Sequence, residues 1–471
     1  MAQTPVPTAS WQAGGNLSNS SGFPADTQIA VSEKSVVVTA RAVIAFYDKA
    51  GAPLQPPIAT QSFFSSLNLA ASFGIDSYYD TRAIFDPYRK RFWICALTFN
   101  SAHQNDTGRR DMVVMAVSKT QNPLDGWFLY YWDAVAHYGV PNDPVYQPGD
   151  SADYPCLGID KRCIYQTNAV INAVTGVFRY CHVVLYDADT LASGSANAKG
   201  WQFWDVTNPD STLTGIVQPA VHHGESSRAY FVGRYGGDQL LVWGLSNPLE
   251  ASQKMERAAV TLSAFTSPPE GPQKDSKKPV KMSNLANWPL KAVYRSGSVY
   301  TVMNDGRDWF KDNQPMTAIR LVRVNVKEFP KIPTSPTSGF INRIFGGNNP
   351  LEDPPETRLS YGWPAMEVNK NGDMAIVYTR TGTTRYPEMR YSAYLASESD
   401  IRPSRLVKIG DAPYDQTLPG NPQIVYWGDL AGASVDPADD TAIWLAHQYA
   451  SKTAGNAGNG NFQIWVARVF A

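Results

Sequence analysis

Asp80, Arg82, Asp153, Tyr154, His222 and Asp429 are the residues of this chain whose types could carry a reaction. His222 stands beside His223, and the 471 residues include only 6 histidines. An imidazole titrates near neutral pH and can take or give a proton. Set beside Arg82 and a tyrosine such as Tyr154 or Tyr361, His222 would suit β-elimination from a uronic acid. Arg82 would neutralise the carboxylate, His222 would take the proton, and the tyrosine would protonate the leaving oxygen. Two carboxylates drawn from Asp80, Asp153, Glu225 and Asp429 would instead suit glycoside hydrolysis. There is no Cys/His metal spacing, no G-x-G-x-x-G or P-loop, and no G-x-S-x-G elbow.

These residues are far apart in the chain, so a repeated element must bring them together. Residues 361–379 read as a strand (363–368), an Asn371-Gly372 turn and a second strand (374–379). Asn-Gly between apolar runs is a strong hairpin signal. The same layout recurs at 153–168, 217–233, 287–303 and 428–446, and with more drift at 79–97 and 25–40. Each hairpin is followed by one or two further strand-like runs, giving seven units of three to four strands. In the first unit the fourth strand is expected near residues 60–64. The seventh ends one strand short, and residues 8–11 would complete it. Units of this size suit propeller blades, whose radial packing leaves only short sheet edges. The expected fold is all-β, a single seven-bladed β-propeller over residues 1–471. A six-bladed or sialidase-like ring, or packed β-sandwiches, are the alternatives.

In a propeller the first strand of each blade lines a central channel. Aligning the first strands brings Asp26, Asp80, Tyr154, Gln218, Trp288, Trp363 and Asp429 or Leu430 to one mouth. Arg82, Asp153, Asn287, Tyr361 and Trp427 are their neighbours. Carboxylates, an arginine and aromatic rings make a sugar site: rings cover the apolar face of a pyranose, and carboxylates and amides take its hydroxyls. The same residues have plainer uses. An aspartate at a strand entrance can bond backbone amides and lock adjacent blades. Trp288 and Trp363 can pack between blades, and one of two adjacent histidines on a strand faces a neighbouring sheet. Converging aspartates could also hold a structural calcium ion. No other cofactor or metal is expected.

Aromatic residues make up 12% of the chain, with Gly 35 and Pro 34 spread throughout, and no long run has helical spacing. A formal net charge of −1 excludes a basic nucleic-acid footprint. No apolar run approaches the length of a membrane span. The start, MAQTPVPTASW, lacks the regions of a signal peptide and reads as a mature secreted start with an added Met. Four cysteines require no disulfide framework, although Cys156 and Cys163 lie on two arms of one hairpin and could face each other. The loop 267–280 is charged, Pro-rich and expected to be mobile.

Three stretches carry a family resemblance. They are DTR..FDP...RFW..AL (80–97), DYP.LGID (153–160) and WGD.AG.SVDPADDT.W.A (427–446). They resemble a group of secreted bacterial β-propellers, more broadly sialidase-like. The Asp box, Ser-x-Asp-x-Gly-x-Thr-Trp, is missing, and no sialidase arginine triad can be placed. Some polysaccharide lyases on seven-bladed propellers are similar in fold and residue type. The resemblance implies a secreted or periplasmic monomer that acts on poly- or oligosaccharide as a lyase or glycoside hydrolase. The alternative is a non-catalytic glycan- or protein-binding propeller. The residues at the mouth differ from unit to unit, which favours one asymmetric site over repeated lectin sites.

Overall fold

The computed structural model describes residues 2–13, 24–135, 146–333, 340–355, 357–418, 421–452 and 462–470. The described chain is mostly β, in four-stranded antiparallel sheets. Sheet A comprises Gln28–Val31, Ser35–Ala40, Val43–Asp48 and Ile58–Ala59. Sheet B comprises Ser77–Asp86, Arg91–Phe99, Asp111–Ser118 and Trp127–Asp133. Sheet C comprises Asp150–Ile159, Cys163–Asn172, Phe178–Asp187 and Gly200–Phe203. Sheet D comprises Gln218–Pro219, Arg228–Tyr235, Gln239–Ser246 and Lys254–Thr261. Sheet E comprises Lys291–Arg295, Ser298–Arg307, Met316–Asn325 and Ile341–Phe345. Sheet F comprises Leu359–Val368, Met374–Gly382, Arg385–Tyr394 and Arg405–Lys408. Sheet G comprises Gly432–Val435, Ile443–Ala450 and Phe462–Val469, and Ala9–Gln12 pairs antiparallel with its last strand, Ala9 opposite Arg468.

The first strands touch one another in the order A, B, C, D, E, F, G and back to A. Hydrophobic clusters fill the spaces between consecutive sheets. One cluster, with Ile29, Val36, Trp444 and Val466, joins G to A. Another, with Ala365, Val377, Ile443 and Val469, joins F to G. A closed cycle of sheets with cores between neighbours is consistent with a β-propeller. Trp93, Trp363, Trp427 and Trp444 are among the largest fully buried side chains. Burying a large apolar side chain contributes about 1.5–3 kcal/mol, so the core lies between faces and leaves the axis free for polar groups.

In sheets A, B, C, F and G the first hairpin is set by one buried polar residue at or just past the end of its first strand. Asp86 Oδ1 accepts from the Tyr88 and Arg89 N–H groups (2.8 and 3.1 Å). Asp160 Oδ1 accepts from Arg162 and Cys163 (2.7 and 2.8 Å). Asn369 Oδ1 accepts from Asn371 and Asp373 (2.9 Å each). Ser32 and Asp436 sit at the matching places in sheets A and G. These are Asx- and ST-type turns, in which a short side chain stands in for a backbone acceptor. An aromatic residue of the second strand takes the other oxygen: Trp93 on Asp86, Tyr165 on Asp160 and Trp444 on Asp436.

The structure departs from the sequence reading in several places. The fourth strand of sheet A is the short Ile58–Ala59, and a helix, Thr60–Phe63, follows where a strand was expected. The loop 267–280 is packed rather than loose. Gln273 is buried and bonds the Lys278 and Tyr414 carbonyls, while Val280 bridges to Val425. Cys156 lies opposite Thr167 and Cys163 opposite Asp187, so the two do not face each other. All four cysteines are buried free thiols. No helix among the described residues is long and apolar enough to cross a membrane.

Candidate functional site

The first strands of sheets B, C and F each carry a bulge. Asp80-Thr81, Tyr154-Pro155 and Trp363-Pro364 stand as two residues against one on the partner strand. The leading residue of each is left-handed, with φ of 52°, 52° and 57°. Asp26, ahead of sheet A, has φ 46°. Such backbone is costly for a bulky residue, and a bulge re-aims side chains. Proline suits the second place, where no ladder N–H is required. In sheets B and C the bulge places Asp80 and Tyr154 on the wall of a cavity at the start of the first strands.

This cavity is about 1290 Å³ in volume. Asp26, Asp80, Asp153, Tyr154, Trp288 and Asp429 line it, so six of the residues nominated from sequence meet there. Tyr79, Arg41, Arg109, Arg234, Asn284 and Tyr426 line it as well, and the sequence reading missed them. Asn284 and Tyr426 lie in connections between sheets, which an alignment of hairpins does not cover. Arg41 sits at the tight turn between two strands of sheet A, and its φ of 40° was the kind of feature only a structure reveals.

The carboxyl groups differ in their surroundings. Asp429 accepts from Asn284 Nδ2 (2.7 Å) and from the Tyr426 hydroxyl (2.8 Å). Burial pushes it up to about 6 against those two bonds. Asp153 is exposed to the solvent of the cavity, unlike Asp80 and Asp429, which are half-buried; the protein crowded around it and then Asp80 push its carboxyl up to about 7. Burial also raises Asp80, while Arg82 and Arg41 pull in the opposite direction. Asp26 is buried, and its Oδ1 accepts from the Asp429 backbone N–H (2.8 Å), which ties sheet A to sheet G. Burial, Asp429 and Asp80 hold its carboxyl well above the ordinary range. The arrangement is therefore a cluster of carboxyls all raised above the ordinary aspartate value, with Asp153 brought nearest to the range that general-acid chemistry uses near neutral pH.

Arg82 lies beneath this floor. It is buried, its guanidinium sits 4.7 Å from the centre of the Tyr154 ring, and its Nε and Nη2 have no hydrogen-bond partner. It acts on the carboxyls through its charge rather than by lining the cavity. Deeper along the axis Lys291, Glu367 and His223 follow. Burial lowers Lys291, with Glu367 opposing. Burial works against the charge of Glu367, but His223 Nε2, 3.0 Å away, and Lys291 hold it below the ordinary glutamate value.

The remaining nominated residues lie elsewhere. His222 is the middle residue of the strand Val221–His223, which runs parallel between Asp150–Ile159 and Lys291–Arg295 and joins sheets C and E. Its ring stacks on Tyr294 (4.5 Å) and Tyr230 (5.9 Å), and Nε2 accepts from the Tyr230 N–H. Burial drives it down to about 4, so it is a neutral core group away from the carboxyls. Gln218 is buried and bonds the adjacent Pro219 carbonyl. Asn287 is consumed by the Thr266 and Asn304 carbonyls and Asp305. Tyr361 stacks on Tyr378 (4.9 Å). Trp363 and Trp427 are fully buried, with their indole N–H groups on the Lys281 carbonyl and the Thr379 hydroxyl. Glu225 is exposed and pairs with Lys161 (2.5 Å). Among the described residues no group of three or more His, Cys, Asp or Glu is placed to hold a metal ion.

No family model matches the chain, and no curated protein does. Among solved structures it is similar to Trypanosoma rangeli sialidase in complex with the inhibitor DANA. The TM-score is 0.37 at 8% identity, covering 84% of this chain and 55% of that one. It is also similar to Penicillium chrysogenum α-L-arabinanase complexed with arabinobiose. There the TM-score is 0.41 at 11% identity, covering 99% and 98%. A third likeness is to the polysaccharide lyase Uly1, with TM-score 0.37, 9% identity and coverage of 64% and 58%. The chain spans 55% and 60% of the length of the two Trypanosoma sialidase structures it matches. These neighbours are carbohydrate-active enzymes, and the overlap is too loose to carry over any residue's role.

Proposed function

We propose that this chain is a secreted or periplasmic seven-bladed propeller that hydrolyses glycosidic bonds in a poly- or oligosaccharide at the carboxyl-lined mouth. The observation that supports this is the meeting of Asp80, Asp153 and Asp429, from sheets B, C and the entrance to G, in one walled cavity. Glycoside hydrolysis asks for two carboxyls whose environments set them apart. Asp153 keeps its proton toward neutral pH and gives it to the leaving oxygen. Asp80 serves as base or nucleophile: burial raises its carboxyl, and the charges of Arg82 and Arg41 oppose that rise. Asp429 orients the sugar from a fixed position between Asn284 and Tyr426. Trp288, half-buried on the cavity wall, offers its ring to a pyranose face. The elimination route loses its base, because His222 faces the core.

The test is a screen of polysaccharides and aryl glycosides, reading new reducing ends and released phenol. On a confirmed substrate, Asp153→Asn and Asp80→Asn should each lose about 10²–10⁴ in kcat, the usual weight of a positioned proton-transfer group. Full turnover in both variants would end this reading. Tight glycan binding with no turnover on any substrate would favour the non-catalytic alternative.

A further inference from the structure

A second feature lies on the flank of the molecule and shares no lining residue with the mouth. It is a groove of about 440 Å³ between the outer strands Trp127–Asp133 of sheet B and Gly200–Phe203 of sheet C. Four aromatic residues line it: Trp132, Tyr186, Trp201 and Trp204. Trp201 is 49% exposed, unusual for a tryptophan on an edge strand. Its indole N–H donates to the Gln253 side-chain oxygen (2.7 Å) in the amide orientation that satisfies both ends of Gln253. That bond fixes the exposed ring. Trp132 and Tyr186 rings meet at 5.1 Å between centroids, tilted by 55°. Gly200 permits this packing, since a Cβ there would lie 2.4 Å from Tyr186 Cδ1.

The groove also has polar groups. Trp132 is only 5% exposed, yet its Nε1 has no hydrogen-bond partner. A buried indole N–H ordinarily finds an acceptor. Gln202 Oε1 is engaged by His182 Nε2 (3.0 Å), which leaves the Gln202 NH₂ group as a donor. Asp133 supplies an acceptor. The lining contains no Lys, Arg or His, so nothing there would neutralise an acidic ligand.

We propose that this groove is a second saccharide-binding surface, for an uncharged polysaccharide chain. The fixed, exposed indole face of Trp201 covers the apolar face of a sugar ring, flanked by the half-buried Trp204 and Tyr186, and the Gln202 amide meets hydroxyls. The proposal is independent of any chemistry at the mouth.

Native gels containing soluble arabinan, xylan or mixed-linkage β-glucan test it, with polygalacturonate as the acidic comparison. At least one neutral polymer should retard the protein. Trp201→Ala should weaken that binding roughly tenfold or more, as for removal of a central aromatic anchor. Trp201→Phe should retain most of it. As a readout on the unaltered protein, the same polymer should slow oxidation of Trp201 by N-bromosuccinimide, measured by mass spectrometry. The proposal is overturned if no neutral polymer retards the protein, or if Trp201→Ala binds as well as the parent with no protection of Trp201. It is equally overturned if only polygalacturonate binds in a Trp201-dependent way. It also fails if sedimentation shows a dimer that Trp201→Ala converts to monomer, because the groove would then be occupied by a second copy.

Discussion

The Asp153 carboxyl is raised first by the protein crowded around it and then by the charge of Asp80, although the residue is open to the solvent of the cavity. The linkage follows from the direction of the shift. Its pKa is about 7 in the folded chain against 3.8 for an ordinary aspartate, so the folded state binds the extra proton between those values. Stability should therefore be highest below pH 4 as far as this group is concerned, and fall as pH rises through 7. Asp429 acts in the same sense up to about 6. Melting temperatures measured from pH 4 to pH 8 should decline less steeply in Asp153→Asn than in the parent. An equally steep decline would place the proton elsewhere. Hydrolysis that depends on protonated Asp153 should likewise fall off above about pH 7 in kcat against pH. Among single residues, Asp80, Asp153, Tyr154 and Asp429 could be found by aligning strand entrances. Trp363 occupies the same place in its unit, yet it is fully buried, and its backbone N–H bonds Asn304 Oδ1 (2.8 Å). Residue type and position do not reveal which unit's bulge faces the cavity and which is covered by a connection.

At the scale of the element, the hairpin is held by its buried turn residue more than by its turn sequence. Asp160 satisfies two backbone N–H groups and the Tyr165 hydroxyl (3.1 Å) at once. Asp160→Ala strands these donors in the core and should cost about 1–3 kcal/mol in urea unfolding; a loss within error would show that water replaces the side chain. Asp305 in sheet E is a stronger case. It meets Arg320 Nε at 2.5 Å with both side chains fully buried, and it also takes the Thr266 and Gly306 N–H groups. Asp305→Ala leaves a buried guanidinium uncompensated and should cost about 3–5 kcal/mol. Strand alternation and turn residues made the hairpins legible in advance. The strand Val221–His223 was legible as a strand but not in its pairing. Its parallel pairing with the first strands of sheets C and E depends on the axis they share, which no local pattern encodes. The same applies to the loop 267–280: its charges suggested solvent, while Gln273 and Val280 anchor it to a stretch more than a hundred residues away.

For the whole molecule, two kinds of contact close the cycle of sheets. Ala9–Gln12 pairs with Phe462–Val469, and across the axis Arg295 of sheet E bonds Asp440 beside sheet G (2.7 and 2.9 Å). Deleting residues 2–12 removes one edge of sheet G together with the partly buried Trp11, and so uncovers the core that Trp11 packs against, including the Tyr47 ring 4.7 Å away. The shortened chain should melt several degrees lower and unfold faster in stopped-flow dilution into denaturant. An unchanged midpoint would mean that the sheet closes adequately with three strands. The shared edge has a further consequence for the order of biosynthesis. Residues 9–12 leave the ribosome before every strand of sheets A to G, yet they are a guest in the sheet made after the other six. Until residues 462–469 emerge they have no partner, and the ring cannot be fastened.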